Sequence, residues 1–271
     1  MCVVRAQYLC YIYTSSHGRD IQQKMNKRQT IRKAILIGMF FTFPVTIAWM
    51  SPAMPIIYGF SGIVVGATIM FLLHFFIALF FGRAYCGFVC PGGGLGECLM
   101  RINDKEVKNS KLRFGKYIVW ALLVMATVAS FLWAGGVSEV DFFAGLEGGW
   151  IFLLAPYRYA IYFGVLLGAL VFQLLLGKRS FCQCACWIAP FMIIGTKVSD
   201  WLKLPRLRLK SNQDSCNGCN LCSKKCPMSL DVKTMVKTSH MKNAECILCG
   251  ECIDICPKKS ISYTFKNEST R

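Results

Sequence analysis

Acidic residues are scarce in this 271-residue chain: 14 Asp and Glu stand against 31 Lys and Arg, and there are three His. With one histidine, His74, inside a long apolar run, a bis-His haem held between apolar helices is excluded. No glycine-rich phosphate loop stands beside a strand-like run and no flavin fingerprint is present, which removes dinucleotide and flavin chemistry. No nucleophile sits in a recognisable base constellation, so the chain has no acyl-transfer signature of its own. The formal charge of +17 admits a nucleic-acid reading until its distribution is considered.

What the chain has in plenty is apolar residues, 55% of the total, and cysteine, 16 in all. The cysteines lie in tight C-x-x-C and C-x-x-x-C groups, a pattern of metal or redox chemistry in a reducing compartment rather than of a disulfide scaffold.

Four apolar stretches are long enough by composition for a bilayer core, which takes about 20 helical residues. They lie near 34–54, with Pro44 as a kink, and near 62–82, 117–135 and 159–177. None has the cleavage site of a signal peptide. Residues 19–33 hold six Lys/Arg, while 83–116 and 178–210 hold seven each. The intervening connections differ: 51–61 has no charge, and 136–158 has one Arg against Glu139, Asp141 and Glu147. Basic flanks stay on the cytoplasmic side, so the pattern predicts a multi-pass protein of a bacterial cytoplasmic membrane with both termini inside. It also accounts for the basicity without nucleic acid.

The expected fold is a membrane all-α domain of four transmembrane helices in two repeated hairpins, followed by a small α+β two-cluster ferredoxin-like domain. The expected divisions are an N-terminal extension over 1–24, with Met25 as an alternative start, the membrane domain over 25–202 and the ferredoxin-type domain over 203–271.

Residues 216–227 read CNGCNLCSKKCP and residues 246–257 read CILCGECIDICP, the same C-x2-C-x2-C-x3-C-P pattern 30 positions apart. Two-residue gaps let a tight loop wrap three thiolates around one face of a cubane. The longer gap and the proline turn the fourth cysteine toward the other cluster. On that rule Cys216, Cys219, Cys222 and Cys256 hold one 4Fe-4S cluster, and Cys246, Cys249, Cys252 and Cys226 hold the second. Zinc also takes four thiolates, but paired zinc sites rarely repeat this three-plus-one arrangement.

The remaining cysteines show a second repeat. GRAYCGFVCP at 82–91 and GKRSFCQCACW at 177–187 both follow an apolar run, and both read Arg, one residue, an aromatic, Cys, three residues, Cys. Arg83 and Arg179, Tyr85 and Phe181, Cys86 and Cys182, and Cys90 and Cys186 are each offset by 96. Two related turns packed side by side predict a third site, Cys86, Cys90, Cys182 and Cys186, for a metal, a cluster or a dithiol couple. Cys98 and Cys184 lie near it in sequence. The two arginines are placed to favour thiolates, although a basic residue is also expected there from topology. Gly92, Gly93 and Gly94 read as a turn after the first thiol pair.

Together these motifs resemble the NapH family, membrane quinol dehydrogenase components of periplasmic nitrate reductase systems. They are also similar to the membrane iron–sulfur halves of nitrous oxide reductase regulators and copper-oxidase assembly proteins. The resemblance covers roughly residues 27–266. The second C-x3-C departs from the family pattern, because Trp187 stands where proline follows and Cys184 is added. The resemblance implies a membrane electron-transfer subunit of a quinol dehydrogenase in anaerobic respiration. Electrons would pass between the quinone pool and a partner redox protein, either an iron–sulfur protein or a multihaem cytochrome. His74 is then a candidate to hydrogen-bond a quinone oxygen, or else a helix-packing histidine. A cysteine-dependent maturation or assembly factor for another metalloenzyme is the alternative.

Overall fold

The computed structural model describes residues 27–107, 110–145 and 156–266. The expected extension over 1–24 lies outside the described residues. Helix α1 (Lys27–Phe41) is followed by α2 (Phe43–Met50), with an angle of 79° between them. Pro44 sits in the first turn of α2, where its missing N–H is harmless, whereas it would break the ladder of a continuous helix. Helix α3 (Ala53–Gly59) leads into strand β1 (Ile63–Val65), which pairs in parallel with β2 (Glu139–Asp141).

Helix α4 (Gly66–Phe81) ends at Gly82, whose φ of +56° lies in the left-handed region that stops a helix. Two short helices follow, α5 (Ala84–Phe88) and α6 (Pro91–Leu99). A 3-10 turn at Ser110–Phe114 opens α7 (Gly115–Trp133). After β2 come α8 (Pro156–Leu176), α9 (Ser180–Cys184) and α10 (Ala189–Trp201).

This corrects the expected four transmembrane helices in two hairpins. Among the described residues one helix, Lys111–Trp133, is long and apolar enough to cross a membrane, or two if the bent pair α1–α2 counts as one. The second expected span loses its first residues to β1 and keeps 16 as helix. At about 1.5 Å per residue that is roughly 24 Å, short of a core of about 30 Å. In the fourth, the apolar part that is described is the shorter stretch Phe163–Leu176. Composition alone marked these stretches. The backbone breaks at Thr42, Gly66 and Gly82 decide their length.

The C-terminal module is tied at both ends by an antiparallel pair, β3 (Arg206–Ser211) with β4 (Ile261–Lys266), in the register Arg206 to Lys266 through Ser211 to Ile261. Between them lie three short helices, α11 (Leu221–Lys224), α12 (Val232–Lys237) and α13 (Glu251–Asp254). Two apolar cores result. One joins Phe40, Phe43, Ile47, Val65, Phe71 and Ile188 in the helical region. The other joins Met228, Val232, Val236, Ile247 and Ile261 in the module, with Cys86 of the helical region packed against it.

Candidate iron–sulfur and thiol sites

The two halves of the module repeat at the level of backbone conformation. Left-handed residues occur at Gly218 and Leu248, at Asn220 and Gly250, and at Ser229 and Lys259, each pair 30 positions apart. These are the residues before and after the second cysteine of each motif and the third after its last. Left-handed φ curls the chain tightly enough for successive thiols to face a common centre. A leucine in that conformation, at Leu248, shows that the loop and not the residue type dictates it.

Each half encloses a cavity. One, with about 350 Å³ of empty volume, is lined by Cys216, Cys219, Cys222 and Cys256. The other, with about 420 Å³, is lined by Cys226, Cys246, Cys249 and Cys252. Each cavity therefore takes three cysteines from one motif and the fourth from the other. Burial first, and then the like charge of neighbouring thiols, pushes Cys246 up to about 11 and Cys249 up to about 12, and Cys226 is among the neighbours that raise both. Four buried thiols that resist losing their protons together are suited to a cationic core that neutralises them. On this ground Cys226, Cys246, Cys249 and Cys252 fit a 4Fe-4S cluster, and the loop of Cys216, Cys219 and Cys222 repeats the same backbone conformation around the other cavity. Among the described residues, no group of three or more His, Cys, Asp or Glu side chains is drawn up to hold a single metal ion.

The second repeat also folds as one. Helices α5 and α9 are offset by 96, and so are their closing bonds: Cys90 N–H and Cys186 N–H each donate 3.0 Å to the carbonyl of the aromatic, Tyr85 or Phe181. Cys90, Cys182 and Cys186 line one cavity, and Cys86 is among the thiols that act on Cys90. Burial raises Cys90, and so do Cys86, Cys182 and Cys186 in turn. Cys186 is pushed up to about 12 by burial and then by Cys182 and Cys86. Cys184 is buried beside Lys116 and Arg113, and Cys98 is disulfide-bonded.

An apolar cavity with about 710 Å³ of empty volume reaches Cys90, Cys182 and Cys186 from Phe40, Phe43, Ile47, Val165 and Phe181. Trp187, at the departure from the family pattern, lines this cavity and donates its indole N–H to Met50 O at 2.9 Å. Pro190 stands in the first turn of α10, as Pro91 does in α6. His74 is elsewhere. Its ring is buried, Nδ1 meets Met70 O at 2.5 Å, and it stands edge-on to Tyr85 with centroids 4.4 Å apart.

Sequence reasoning missed the carboxylates that hold the two arginines. Arg179, buried, donates 2.9 Å to Glu97 and also reaches the carbonyls of Cys86 and Gly93. Arg32 joins the same Glu97 at 2.8 Å and Glu251 of the module at 2.9 Å. Burial alone would raise Glu97, but Arg179 and Arg32 outweigh it and hold it down at about 2. Arg83 pairs with Glu245 at 2.8 Å, and Lys116 is the second partner of that carboxylate. The signal was present: both glutamates are among only 14 acids, one inside a glycine-rich apolar stretch and one directly before Cys246.

The glycines expected as a turn form helix α6 instead. A side chain on Gly94 would lie 2.2 Å from Leu36 O, and one on Gly96 would lie 3.0 Å from Arg179 Cγ, so their absence lets α1 and the guanidinium close in. The helix after the second repeat, α10, is packed along α4, where a side chain on Gly195 would lie 2.6 Å from Phe75 O. At Gly87 the thiol turn touches the module itself: a Cβ there would lie 2.3 Å from Ile247 O, inside the second ferredoxin loop.

The 4Fe-4S binding domain family matches residues 63–109 and again residues 157–205, the stretches that carry the two thiol turns. The 4Fe-4S dicluster domain family matches residues 208–257. An uncharacterized protein of Methanocaldococcus jannaschii is 30% identical over 71% of this chain and 77% of its own length. The ferredoxin-type protein NapH of Haemophilus influenzae is 26% identical over 74% of this chain and 67% of its own. NapH of Escherichia coli is 23% identical over 73% and 67%. No solved structure matches the chain.

Proposed function

We propose, from the premise that the chain belongs to the NapH-type family of 4Fe-4S ferredoxin-type proteins, that it relays electrons between a membrane quinone and a partner redox protein. Membership carries an iron–sulfur electron-transfer role. The quinone, the membrane and the direction of transfer are the proposed part. Cys216, Cys219, Cys222 and Cys256 would hold one cluster, and Cys226, Cys246, Cys249 and Cys252 the other. Cys86, Cys90, Cys182 and Cys186 form a third redox site between the apolar cavity and the module.

The observation that carries this reading is the contact at Gly87. It sets the turn bearing Cys86 against the loop bearing Cys246 and Cys249, which supports transfer from the thiol turns to the module. Bound clusters supply one-electron chemistry at such sites. The chain's own residues supply the rest. Burial raises the Cys182 thiol, Arg179 and Arg83 offset part of that rise, and the ion pairs through Glu97, Glu245 and Glu251 hold the turns to the module. Phe40, Phe43, Ile47 and Phe181 keep water from the thiols on the cavity side.

Membrane association is supported by the exposed apolar side chains along α4 and α7, among them Phe76, Phe80, Leu122, Met125 and Val128. Lys111, Arg113 and Lys116 stand at the α7 end nearer the module, and Glu139 and Asp141 follow its far end, the charge bias of a cytoplasmic module side.

The test is anaerobic reduction of the purified holoprotein by a quinol analogue. Reduction of the module's clusters, followed by EPR, is expected. Clusters that dithionite reduces but the quinol analogue does not would remove the quinone from the account and leave the maturation role as the better reading.

A further inference from the structure

On the module a cleft of about 640 Å³ lies between β3, the 238–243 loop and the Cys246–Leu248 end of the second cysteine loop. Its size falls in the range of about 300–1,000 Å³ typical of small-molecule sites. Among the described residues no Asp or Glu lines it, whereas Arg83, Arg206, Arg208, Lys210, Lys242 and Lys266 do. Two carboxylates pair with three of these cations: Glu245 with Arg83 at 2.8 Å, and Asp200 with Arg206 at 3.0 Å and Arg208 at 2.6 Å. The cations that line the cleft outnumber these two carboxylates. Lys210 and Lys266 are exposed at the rim.

A second observation points the same way. Arg83 Nε, Arg208 Nε and Nη2, and Ser211 Oγ are buried without a hydrogen-bond partner, and all three residues line this cleft. Buried donors normally find acceptors, and leaving several unmade in one place is costly. An oxyanion presents several acceptor atoms at once and binds guanidinium groups strongly. The unmet donors are recessed, since the Arg83 side chain is 1% exposed, so a flat acidic protein face would not reach them.

We propose that this cleft binds a small anion bearing phosphate groups. Cys246 also lines it, so the occupant would lie against the cluster site formed by Cys226, Cys246, Cys249 and Cys252, a placement that rests on the function proposed above. Negative charge set there disfavours adding an electron to that site and lowers its potential relative to its twin. The phosphate could come from a redox-inert inorganic anion or from the tail of a redox-active nucleotide.

The test uses anaerobic holoprotein at low salt, with pyrophosphate followed by calorimetry and flavin mononucleotide followed by fluorescence. Saturable pyrophosphate binding is expected, weakened tenfold or more in Arg208→Gln and in the double variant Lys210→Gln, Lys266→Gln. The double variant changes only rim residues and guards against misfolding. The EPR signal of one cluster is expected to shift with pyrophosphate while the other stays fixed. Flavin mononucleotide competing with pyrophosphate would support the proposal and identify a redox nucleotide as the source. Pyrophosphate binding alone would support it with an inorganic source. The proposal is overturned if neither probe binds at millimolar concentration, if binding is unchanged in both variants, or if the cleft captures an acidic protein but no phosphate. Iron content measured on the same sample keeps the two claims apart: a missing cluster counts against the relay, and the binding curves alone decide the cleft.

Discussion

The module and the paired thiol turns both gather cysteines, and they do so by opposite means. In the module three thiols of each set come from one loop, curled by left-handed residues such as Gly218, Leu248 and Asn220, and only the fourth crosses over. In the turns no more than two thiols come from one segment. The segment of Cys86 and Cys90 is set beside the segment of Cys182 and Cys186 by packing around Arg179, Glu97 and Arg32. The first arrangement is encoded within about a dozen residues and the second in tertiary packing. Local loops should therefore tolerate damage at a distance, whereas the quartet should depend on buried ion pairs far along the chain.

The largest effect that would break this contrast is at the crossover. Cys226→Ser is expected to empty the site of Cys246, Cys249 and Cys252 and to spare the one nearer in sequence. Iron would fall from about eight to about four per chain, as each cubane holds four. Loss of the other cluster's EPR signal instead would reverse the assignment.

Glu97→Gln comes next. It leaves Arg32 and Arg179 buried without their shared carboxylate, and breaking a buried pair in this way costs about 3–5 kcal/mol. Denaturant unfolding followed at the helical region would measure it. The module's iron content is expected to hold under native conditions, and equal loss in both regions would erase the distinction drawn between them.

A smaller effect is expected from Gly87→Ala. The added methyl would meet Ile247 O at 2.3 Å, and overpacking of this kind costs about 1–3 kcal/mol. The turn and the loop would separate, slowing transfer from a quinol analogue to the module while leaving eight irons in place. Stopped-flow reduction at an unchanged rate would show that the contact is not on the path. Cys184→Ser is the mildest, with iron content and transfer rate both near those of the unaltered protein. A large loss of either would add Cys184 to the site.

These differences explain what was legible in the sequence. The eight module cysteines could be read because their geometry is set by two- and three-residue gaps. The two thiol turns could be read one level less directly, through a 96-residue repeat of Arg, aromatic and two cysteines that fold alike. The spans were misread because apolar composition ignores where the backbone stops: β1 takes Ile63–Val65, Gly82 closes α4, and Pro44 turns the chain by 79°. The carboxylates Glu97, Glu245 and Glu251 escaped because their partners are more than 60 residues away. Residue scarcity alone hinted that each acid had work to do.

The measurement that bears most directly on the central claim is electron transfer in a protein that has lost half of the quartet. Cys182→Ser and Cys186→Ser would be combined, and the module's clusters counted by iron and EPR before a quinol analogue is added. The account predicts two intact clusters that dithionite still reduces and the quinol analogue no longer does. Two intact clusters reduced by the quinol analogue at the rate of the unaltered protein would contradict it, and would leave the thiol turns as packing alone.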